Sequence, residues 1–425
     1  MEIQFRIIFL ETLRNARKAL PYLASIVLAV TSSLANAQEI DILLKGGHII
    51  DPKNNINSKM DIAIAAGKIF RVAEDIPSNT AKNTIDVTGL YITPGIIDMH
   101  AHVLAPGRPH ADAFSFRAGV TTIVDAGSTG WRNFPLYKSL TIDKAQTRIL
   151  AFLNVIGSGM MSRFDEQDVN DMNPVMNANM ISRLYPGLLV GVKSAHYWGD
   201  FTSVDKAVES GKLANVPVIV DFGEHTPSNS IESLFMKHFR PGDIFTHTFS
   251  EIQGGRESIV DEASRKVKPF VFAAQKRGIV FDVGHGAGAF NFNQAIPAFK
   301  QGFSPDVIST DLYQLSMNGA MKDMSNVMSK FLAIGMPLKD VILRSTWNPA
   351  KVIKRPDLGH LSVGAEADIA VFNLEKGNFG FMDVRRSKVI GTEKLEAQLT
   401  IRAGRVVWDL NGLSLPEWTM PITSN

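Results

Sequence analysis

Eight short apolar runs alternate with helical stretches through the middle of this chain, and no other feature constrains its fold as strongly. The runs are continuously apolar rather than alternating, which is typical of parallel strands that helices cover on both faces. Eight such strands over roughly 250 residues predict an α/β fold, a (β/α)8 TIM barrel. The predicted strands are residues 95–100, 121–125, 149–155, 188–193, 218–222, 244–247, 279–283 and 307–310.

Short β-rich stretches punctuated by Gly, Pro and Asn flank this pattern on both sides. The Ala-Gly-Lys turn at 66–68 and the Ala-Gly-Arg turn at 403–405 each precede an apolar, β-branched run, a pattern typical of hairpins. Their likeness predicts that the two ends of the chain pair in one small domain. We therefore expect a composite β-sandwich domain of residues 38–92 and 357–418 beside a barrel of residues 93–356.

The first 37 residues have the order of a secretory signal. A basic segment ends at Lys18, an apolar run covers residues 19–30, and Ala35-Asn36-Ala37 provides small residues at the exit. The alternative is an uncleaved membrane anchor, but the apolar run is short for a membrane span. We expect a signal peptide at 1–37 that is cleaved after Ala37, a periplasmic or secreted protein, and no stable membrane span in the mature chain.

Charge and cysteine usage exclude several classes of function. The chain has 44 basic and 42 acidic side chains, and outside residues 1–37 the two kinds balance, so no basic field indicates a nucleic-acid partner. The 425 residues include no cysteine, which excludes disulfides, thiolate metal ligands and a cysteine nucleophile. Any metal ion must therefore be held by histidine, carboxylate or modified lysine.

His100 and His102 lie at the end of the first predicted barrel strand. At a spacing of two residues in a strand, both imidazoles point to the same side. Together they could chelate one borderline-soft divalent ion such as zinc. The alternative is a pair of histidines in a turn, but the carboxyl ends of barrel strands carry the active site in this fold. Their position therefore favours a metal site.

Ionisable side chains recur at later predicted strand ends. Lys193 ends the fourth strand, where a buried lysine is costly unless it is paired or chemically altered. Reaction with CO2 would make it an anionic carbamate ligand, whereas the alternative is a salt bridge to a barrel carboxylate. His247, His285 and Asp311 mark the ends of the sixth, seventh and eighth strands. Each alone fits a structural role, but their repetition at strand ends predicts one shared site.

These motifs together resemble the amidohydrolase superfamily, in its amidohydrolase/deacetylase, dihydroorotase-like branch, over nearly all of the mature chain. The resemblance rests on the runs PGIIDMHAH at 94–102, GVK at 191–193, TH at 246–247, FDVGHG at 281–286 and STD at 309–311. It implies a binuclear zinc centre whose ligands would be His100, His102 and Asp311 for the inner ion, carbamylated Lys193 as the bridge, and His247 for the outer ion. It also implies that Asp311 carries the proton from the attacking water to the leaving group, and that His285 contacts substrate.

The sequence departs from this family at the end of the fifth predicted strand. The family usually places a histidine ligand of the outer metal there, and this chain has Asp221. A carboxylate is a competent zinc ligand, so one interpretation is that Asp221 substitutes directly. His225, in the following loop, is a fallback ligand. A weak or empty outer site is the third alternative.

A second departure follows Lys193, where many relatives have an arginine suited to a substrate carboxylate. Here His196, Tyr197 and Trp198 follow. We interpret His196 and Tyr197 as substrate-binding residues that favour an aromatic or neutral acyl group. Packing of the loop is the alternative.

We therefore expect an exported, metal-dependent amidohydrolase that hydrolyses an amide or ester bond of a small molecule, such as an N-acyl amino acid or a cyclic amide. The alternative is a catalytically silent barrel homologue that acts as a binding or scaffold protein. The full set of ligating residues argues against that alternative, whereas Asp221 argues for it. The sequence leaves homo-oligomerisation open.

Overall fold

The computed structural model describes residues 39–103, 110–222, 229–251 and 256–419. The predicted signal peptide and the fallback ligand His225 lie outside these ranges, so both stay predictions. Within the ranges, no helix combines the length and the apolar character that a membrane span needs.

Seven parallel strands form one curved sheet whose strand order follows the chain. They are β8 (Ile96–Ala101), β9 (Val120–Ala126), β10 (Arg148–Asn154), β11 (Leu189–Ala195), β12 (Val218–Asp221), β13 (Ile244–Phe245) and β14 (Val280–Phe281). An extended segment fills the eighth position, because Val307 bridges Asp282 and Leu312 bridges Ala101, both in parallel. The sheet thus closes on itself, and the predicted barrel is confirmed.

The barrel strands are buried on both faces. Every residue of β8, β9 and β11 is buried, as expected where helices cover a parallel sheet. The α-helices of the described chain are Ala111–Ser115, Phe134–Leu140, Pro174–Asn179, Thr202–Ala214, Ile231–Ser233, Pro269–Lys276, Phe292–Lys300, Gln314–Met317, Met324–Ala333, Leu338–Ser345 and Trp347–Val352. The short 3-10 or π turns are Ser78–Thr80, Phe116–Ala118, Ile142–Lys144, Asp165–Gln167, Val169–Asp171, Met180–Leu184 and Leu234–His238.

The sixth and eighth strands form shorter ladders than the sequence predicts, and the backbone next to them shows why. β13 ends at Phe245, two residues before the predicted end, and the eighth segment forms bridges rather than a full ladder. His247 has a φ of 60° and Asp311 a φ of 48°. Left-handed backbone at residues other than glycine is uncommon and clusters at functional sites. The extended ladders cannot continue through these two residues.

The two ends of the chain build a β-rich domain together. Its strands are β1 (Ile40–Lys45), β2 (His48–Asp51), β3 (Ile56–Lys59), β4 (Asp61–Ala65), β5 (Lys68–Ala73), β6 (Ala81–Asp86), β7 (Tyr91–Pro94), β15 (Ile369–Met382), β16 (Lys388–Arg402) and β17 (Arg405–Asp409). One sheet has the order β5-β4-β1-β6, and the other has the order β17-β16-β15-β7-β2-β3. The predicted pairing of the chain ends is therefore confirmed, since β7 runs antiparallel to β15.

The two glycine turns singled out in the sequence touch each other. A Cβ at Gly404 would lie 2.5 Å from the Cα of Gly67, so any side chain at Gly404 would force the turns apart. A shared core of apolar side chains from both chain ends lies behind them, including Leu44, Ile92 and Leu399. Burial of this core holds the composite domain together.

Candidate metal centre

The carboxyl ends of the barrel strands bring three predicted ligands together. His102 Nε2 lies 3.2 Å from Asp311 Oδ1, and His100 Nε2 lies 3.7 Å from the same oxygen. One ligand atom from each residue lies within 4.8 Å of the others, and all three side chains are buried. We call these three residues the inner half of the centre.

Hydrogen bonds fix which nitrogen of His100 faces Asp311. The Thr246 hydroxyl donates to Asp282 Oδ2 at 2.7 Å, so its oxygen is free to accept from His100 Nδ1 at 2.8 Å. Asp282 Oδ2 itself lies 3.2 Å from His100 Nδ1. The proton therefore sits on Nδ1, and the Nε2 lone pair faces the Asp311 carboxylate. Two acceptors that face each other require a proton or a cation between them, so the inner half fits a metal ion.

The partners of the inner half are themselves buried. His102 Nδ1 lies 3.0 Å from Ser128 Oγ. Burial raises the pKa of Asp282 to about 6, although hydrogen bonds from Ser309 and Thr246 oppose that rise. Burial likewise raises the pKa of Asp311 to about 6, against the opposing effect of neighbouring cations. Burial thus disfavours the charged form of Asp282 and Asp311, and a bound cation would favour it.

Lys193 completes this side of the centre. Its Nζ lies 3.4 Å from His100 Nε2, and the side chain is 1% exposed. Among the described residues, its amine contacts this histidine nitrogen and forms no ion pair with a carboxylate within 4.0 Å. Burial lowers the pKa of Lys193, while the more distant carboxylates Asp221, Asp311 and Asp282 oppose that effect.

Asp221, His247, His196 and Arg256 form what we call the outer half. Asp221 Oδ2 lies 3.3 Å from His247 Nε2 and 3.2 Å from His196 Nε2, and Asp221 Oδ1 accepts from the Arg256 guanidinium. His247 Nδ1 donates to the Gly284 carbonyl at 2.6 Å. The Nε2 atom of His247 therefore faces the Asp221 carboxylate, just as the Nε2 atom of His100 faces Asp311 in the inner half. Burial would raise the pKa of Asp221, but Arg256, His247 and His196 hold it well below its usual range.

The loop after β11 supplies His196 and Tyr197. His196 Nδ1 lies 3.0 Å from Glu166 Oε2, so the imidazole bridges two carboxylates. Burial lowers its pKa, but the contacts with Asp221 and Glu166 prevail and raise it to about 9. Tyr197 lines a small cavity beside Asp221. The structure thus places both residues at the outer half, and their contact with substrate stays a prediction.

His285 lies at the same end of the barrel, but its nitrogens contact the protein. Nδ1 donates to the Gly286 carbonyl at 2.9 Å, and Nε2 lies 2.6 Å from Lys330 Nζ. The ring is fully buried. Its predicted contact with substrate stays a prediction.

Sequence reasoning gave no role to several residues that contact the predicted ligands or the predicted substrate-binding residue His196. They are Asp282, Thr246, Ser128, Arg256 and Glu166. For Asp282 a signal existed, because a carboxylate between Phe281 and Val283 is out of place in an apolar strand unless it is paired. For Arg256 and Glu166 no local pattern pointed to the centre.

The chain is similar to bacterial deacetylases over most of its length. The chain is 30% identical over 380 residues to a deacetylase of Enterococcus faecalis, which covers 87% of this chain and 99% of the relative. It is 32% identical over 394 residues to a deacetylase of Agrobacterium fabrum, which covers 85% of this chain and 93% of the relative. Residues 286–407 match the amidohydrolase family.

Two solved structures resemble the whole described architecture. A crystal structure of an adenine deaminase superposes with a TM-score of 0.80 at 27% identity and covers 87% of this chain and all of that chain. A crystal structure of a dihydroorotase superposes with a TM-score of 0.76 at 29% identity and covers 87% of this chain and 97% of that chain. The predictions of an enzyme and of its family are confirmed. The chain belongs to the amidohydrolase superfamily, as a metal-dependent hydrolase that acts on carbon–nitrogen bonds other than peptide bonds.

Proposed function

We propose that the protein is an exported amidohydrolase that removes an acyl group from a small molecule, with an N-acyl amino acid as the leading substrate class. A cyclic amide and an ester are the other substrates that this chemistry can serve. The convergence of His100 Nε2 and His102 Nε2 on Asp311 Oδ1 carries the proposal. The relatives named deacetylase support removal of an acyl group in particular.

We propose two zinc ions as the cofactor. His100, His102 and Asp311 would hold the inner ion, and Lys193, once carbamylated by CO2, would bridge to an outer ion held by His247 and Asp221. Such ions polarise a substrate carbonyl and lower the pKa of water. Imidazole and carboxylate are the ligands available in a chain without cysteine and are suited to zinc.

Carbamylation of Lys193 is supported by the surroundings of its amine. The amine is buried next to a histidine nitrogen, and no carboxylate of the described residues pairs with it within 4.0 Å. A cation in that place would oppose a metal ion, whereas a carbamate would supply a negative oxygen ligand. The expected consequence is that metal uptake depends on bicarbonate.

Asp311 is proposed to carry the proton during hydrolysis. Its Oδ1 faces the two inner histidines, so the carboxylate lies within reach of a water molecule that is bound among these ligands. It would accept a proton from that water and return it to the departing nitrogen, as a general base and then a general acid.

The rim of the barrel supports an aromatic or neutral acyl group. The rings of Phe164 and Trp198 pack edge to face at 6.0 Å, and both are exposed. Gln167 ties this pair to the site, because its side chain donates to the His196 carbonyl at 2.9 Å and accepts from the Trp198 amide at 2.9 Å. An acyl group with an aromatic ring could pack against this exposed pair.

We also propose that the protein is exported and that it forms a homo-oligomer. The order of basic, apolar and small residues before Gln38 supports export to the periplasm or medium. Cell fractionation with N-terminal sequencing would test this, because cleavage after Ala37 is expected and a cytoplasmic, uncleaved chain would contradict it. A homo-oligomer is proposed as well, and light scattering of the mature protein tests it.

The central experiment measures metal content and hydrolysis together. The mature protein would be supplied with zinc and bicarbonate and assayed on N-acetyl amino acids, N-aroyl amino acids, cyclic amides and acyl esters. We expect bound zinc and the highest kcat/KM on an N-acyl amino acid. Protein that takes up no zinc, or that hydrolyses none of the panel, would overturn the proposal.

A further inference from the structure

The turn at residues 284–286 contacts both halves of the metal centre. The Gly284 carbonyl accepts from His247 Nδ1 at 2.6 Å, and a Cβ added at Gly286 would lie 2.3 Å from Asp311 Oδ2. Both glycines have left-handed backbone, with φ of 47° and 53°, which residues with side chains rarely adopt. A displacement of this turn would therefore move His247 and Asp311.

His285 is the one side chain within this turn, and both of its ring nitrogens and one face of its ring contact other protein groups. Its Nδ1 must donate, because the partner at 2.9 Å is the Gly286 carbonyl. Its Nε2 must then accept, and Lys330 Nζ lies 2.6 Å away. The ring stacks on Phe290 at a centroid distance of 4.7 Å and an interplanar angle of 12°. The tautomer and orientation of His285 are thus fixed by its neighbours.

Lys330 occupies a core position in the helix Met324–Ala333. Its side chain is fully buried, and its amine also donates to the Ala320 carbonyl at 2.6 Å and lies 5.6 Å from the centre of the Phe290 ring. Burial lowers the pKa of Lys330 to about 7. An apolar residue would fill such a position at lower cost. The hydrogen bond that the Lys330 amine donates to His285 therefore explains why a lysine occupies this buried position.

We propose that Lys330 is a positioning residue, which donates to His285 Nε2 and thereby fixes the 284–286 turn and, through it, His247 and Asp311. The inference rests on the proposed function in one respect, namely the roles that His247 and Asp311 have in metal binding and proton transfer. The hydrogen bonds that carry it are independent of which substrate is hydrolysed.

The first test observes the histidine rings directly. Protein labelled with ¹⁵N-histidine would be compared as wild type, Lys330→Met and Ser329→Ala. Ser329 is buried in the same helix and hydrogen-bonds to Ser325, so Ser329→Ala perturbs the helix without removing the donor to His285. We expect the ring resonances of both His285 and His247 to shift in Lys330→Met and to stay unchanged in Ser329→Ala.

The second test uses kinetics and a conservative variant. Lys330→Met should lower kcat about tenfold while KM changes less than twofold, because the turn that orients His247 and Asp311 loses a hydrogen bond. Lys330→Gln retains an N–H donor, so it should recover part of kcat, and it serves if Lys330→Met does not fold. A rise in KM with kcat unchanged would instead assign His285 to substrate binding and overturn the inference.

The two proposals fail in different ways. Wild-type protein that hydrolyses none of the panel would contradict the proposed function, while the ring resonances would still decide the role of Lys330. His247 resonances that are the same in wild type and Lys330→Met, or that shift equally in Ser329→Ala, would overturn the positioning role even in an active enzyme.

Discussion

The inner and outer halves of the centre each place one carboxylate beside two histidines, but the two carboxylates have different neighbours. In the inner half, Asp311 faces the Nε2 atoms of two histidines, and burial raises its pKa to about 6. In the outer half, Asp221 already contacts a guanidinium and an imidazole, and its pKa is held well below the usual range against the effect of burial. An ion therefore gains more from entering the inner half than the outer half, because Asp221 has cations of its own.

Removal of the inner carboxylate should have the largest effect. Asp311→Asn keeps the shape of the side chain but cannot accept the proton, so kcat on the best amide should fall about 10³-fold. Steady-state kinetics measures this, with the exposed Asp165→Asn as the matched control. Full activity in Asp311→Asn would show that the proton travels by another group.

Substitution of Asp282, which contacts His100 of the inner half, should have the next largest effect. Asp282→Asn weakens the pair of contacts that orients His100, so zinc affinity should fall about 10- to 100-fold. Competition with a fluorescent chelator measures the affinity. Asp306→Asn is the control, because Asp306 is a partly buried acid whose partners, Gln275 and the Phe281 amide, lie outside the centre. An equal loss in both variants would point to general destabilisation.

The outer half should respond in the opposite direction. Arg256→Met removes the guanidinium that competes for Asp221, so affinity for a second zinc ion should rise about tenfold. Arg240→Met deletes a similar pair with Asp243 at the other end of the barrel and should leave metal binding unchanged. The measurement is the number of zinc ions bound per chain as free zinc is raised, for both variants and the wild type. A second ion that binds more weakly without Arg256 would mean that the arginine supports the outer site.

A smaller effect is expected from the turn that both halves share. Burial lowers the pKa of Lys330 from 10.5 to about 7, with Asp383 and Asp323 opposing and Lys322 adding to the shift. Between these two values the unfolded chain keeps a proton that the folded chain releases, so stability rises with pH. Relative to Lys330→Met, the free energy of unfolding should increase by up to about 1.4 kcal/mol per pH unit above pH 7. Urea unfolding at several pH values measures it, and parallel curves would contradict the burial of a neutral amine.

Periodicity and position made the barrel and the inner half predictable. A strand buried on both faces leaves a continuous apolar run, and the fold collects the carboxyl ends of all such strands at one mouth. His100, His102, Lys193 and Asp311 therefore had to lie near one another once the strands were assigned. The pairing of the chain ends was likewise visible in the two glycine turns, which the structure brings into contact.

Partnerships across long separations were decided by the tertiary structure alone. Arg256 lies 35 residues from Asp221, Lys330 lies 45 residues from His285, and Asp282 lies 182 residues from His100. No periodic signal links such pairs, because loop paths and helix packing set which side chains meet. The sequence by itself determined the barrel, the pairing of the two chain ends and the placing of His100, His102 and Asp311 at one mouth. Only the folded chain decided which nitrogen each histidine presents, and that Asp221 meets an arginine.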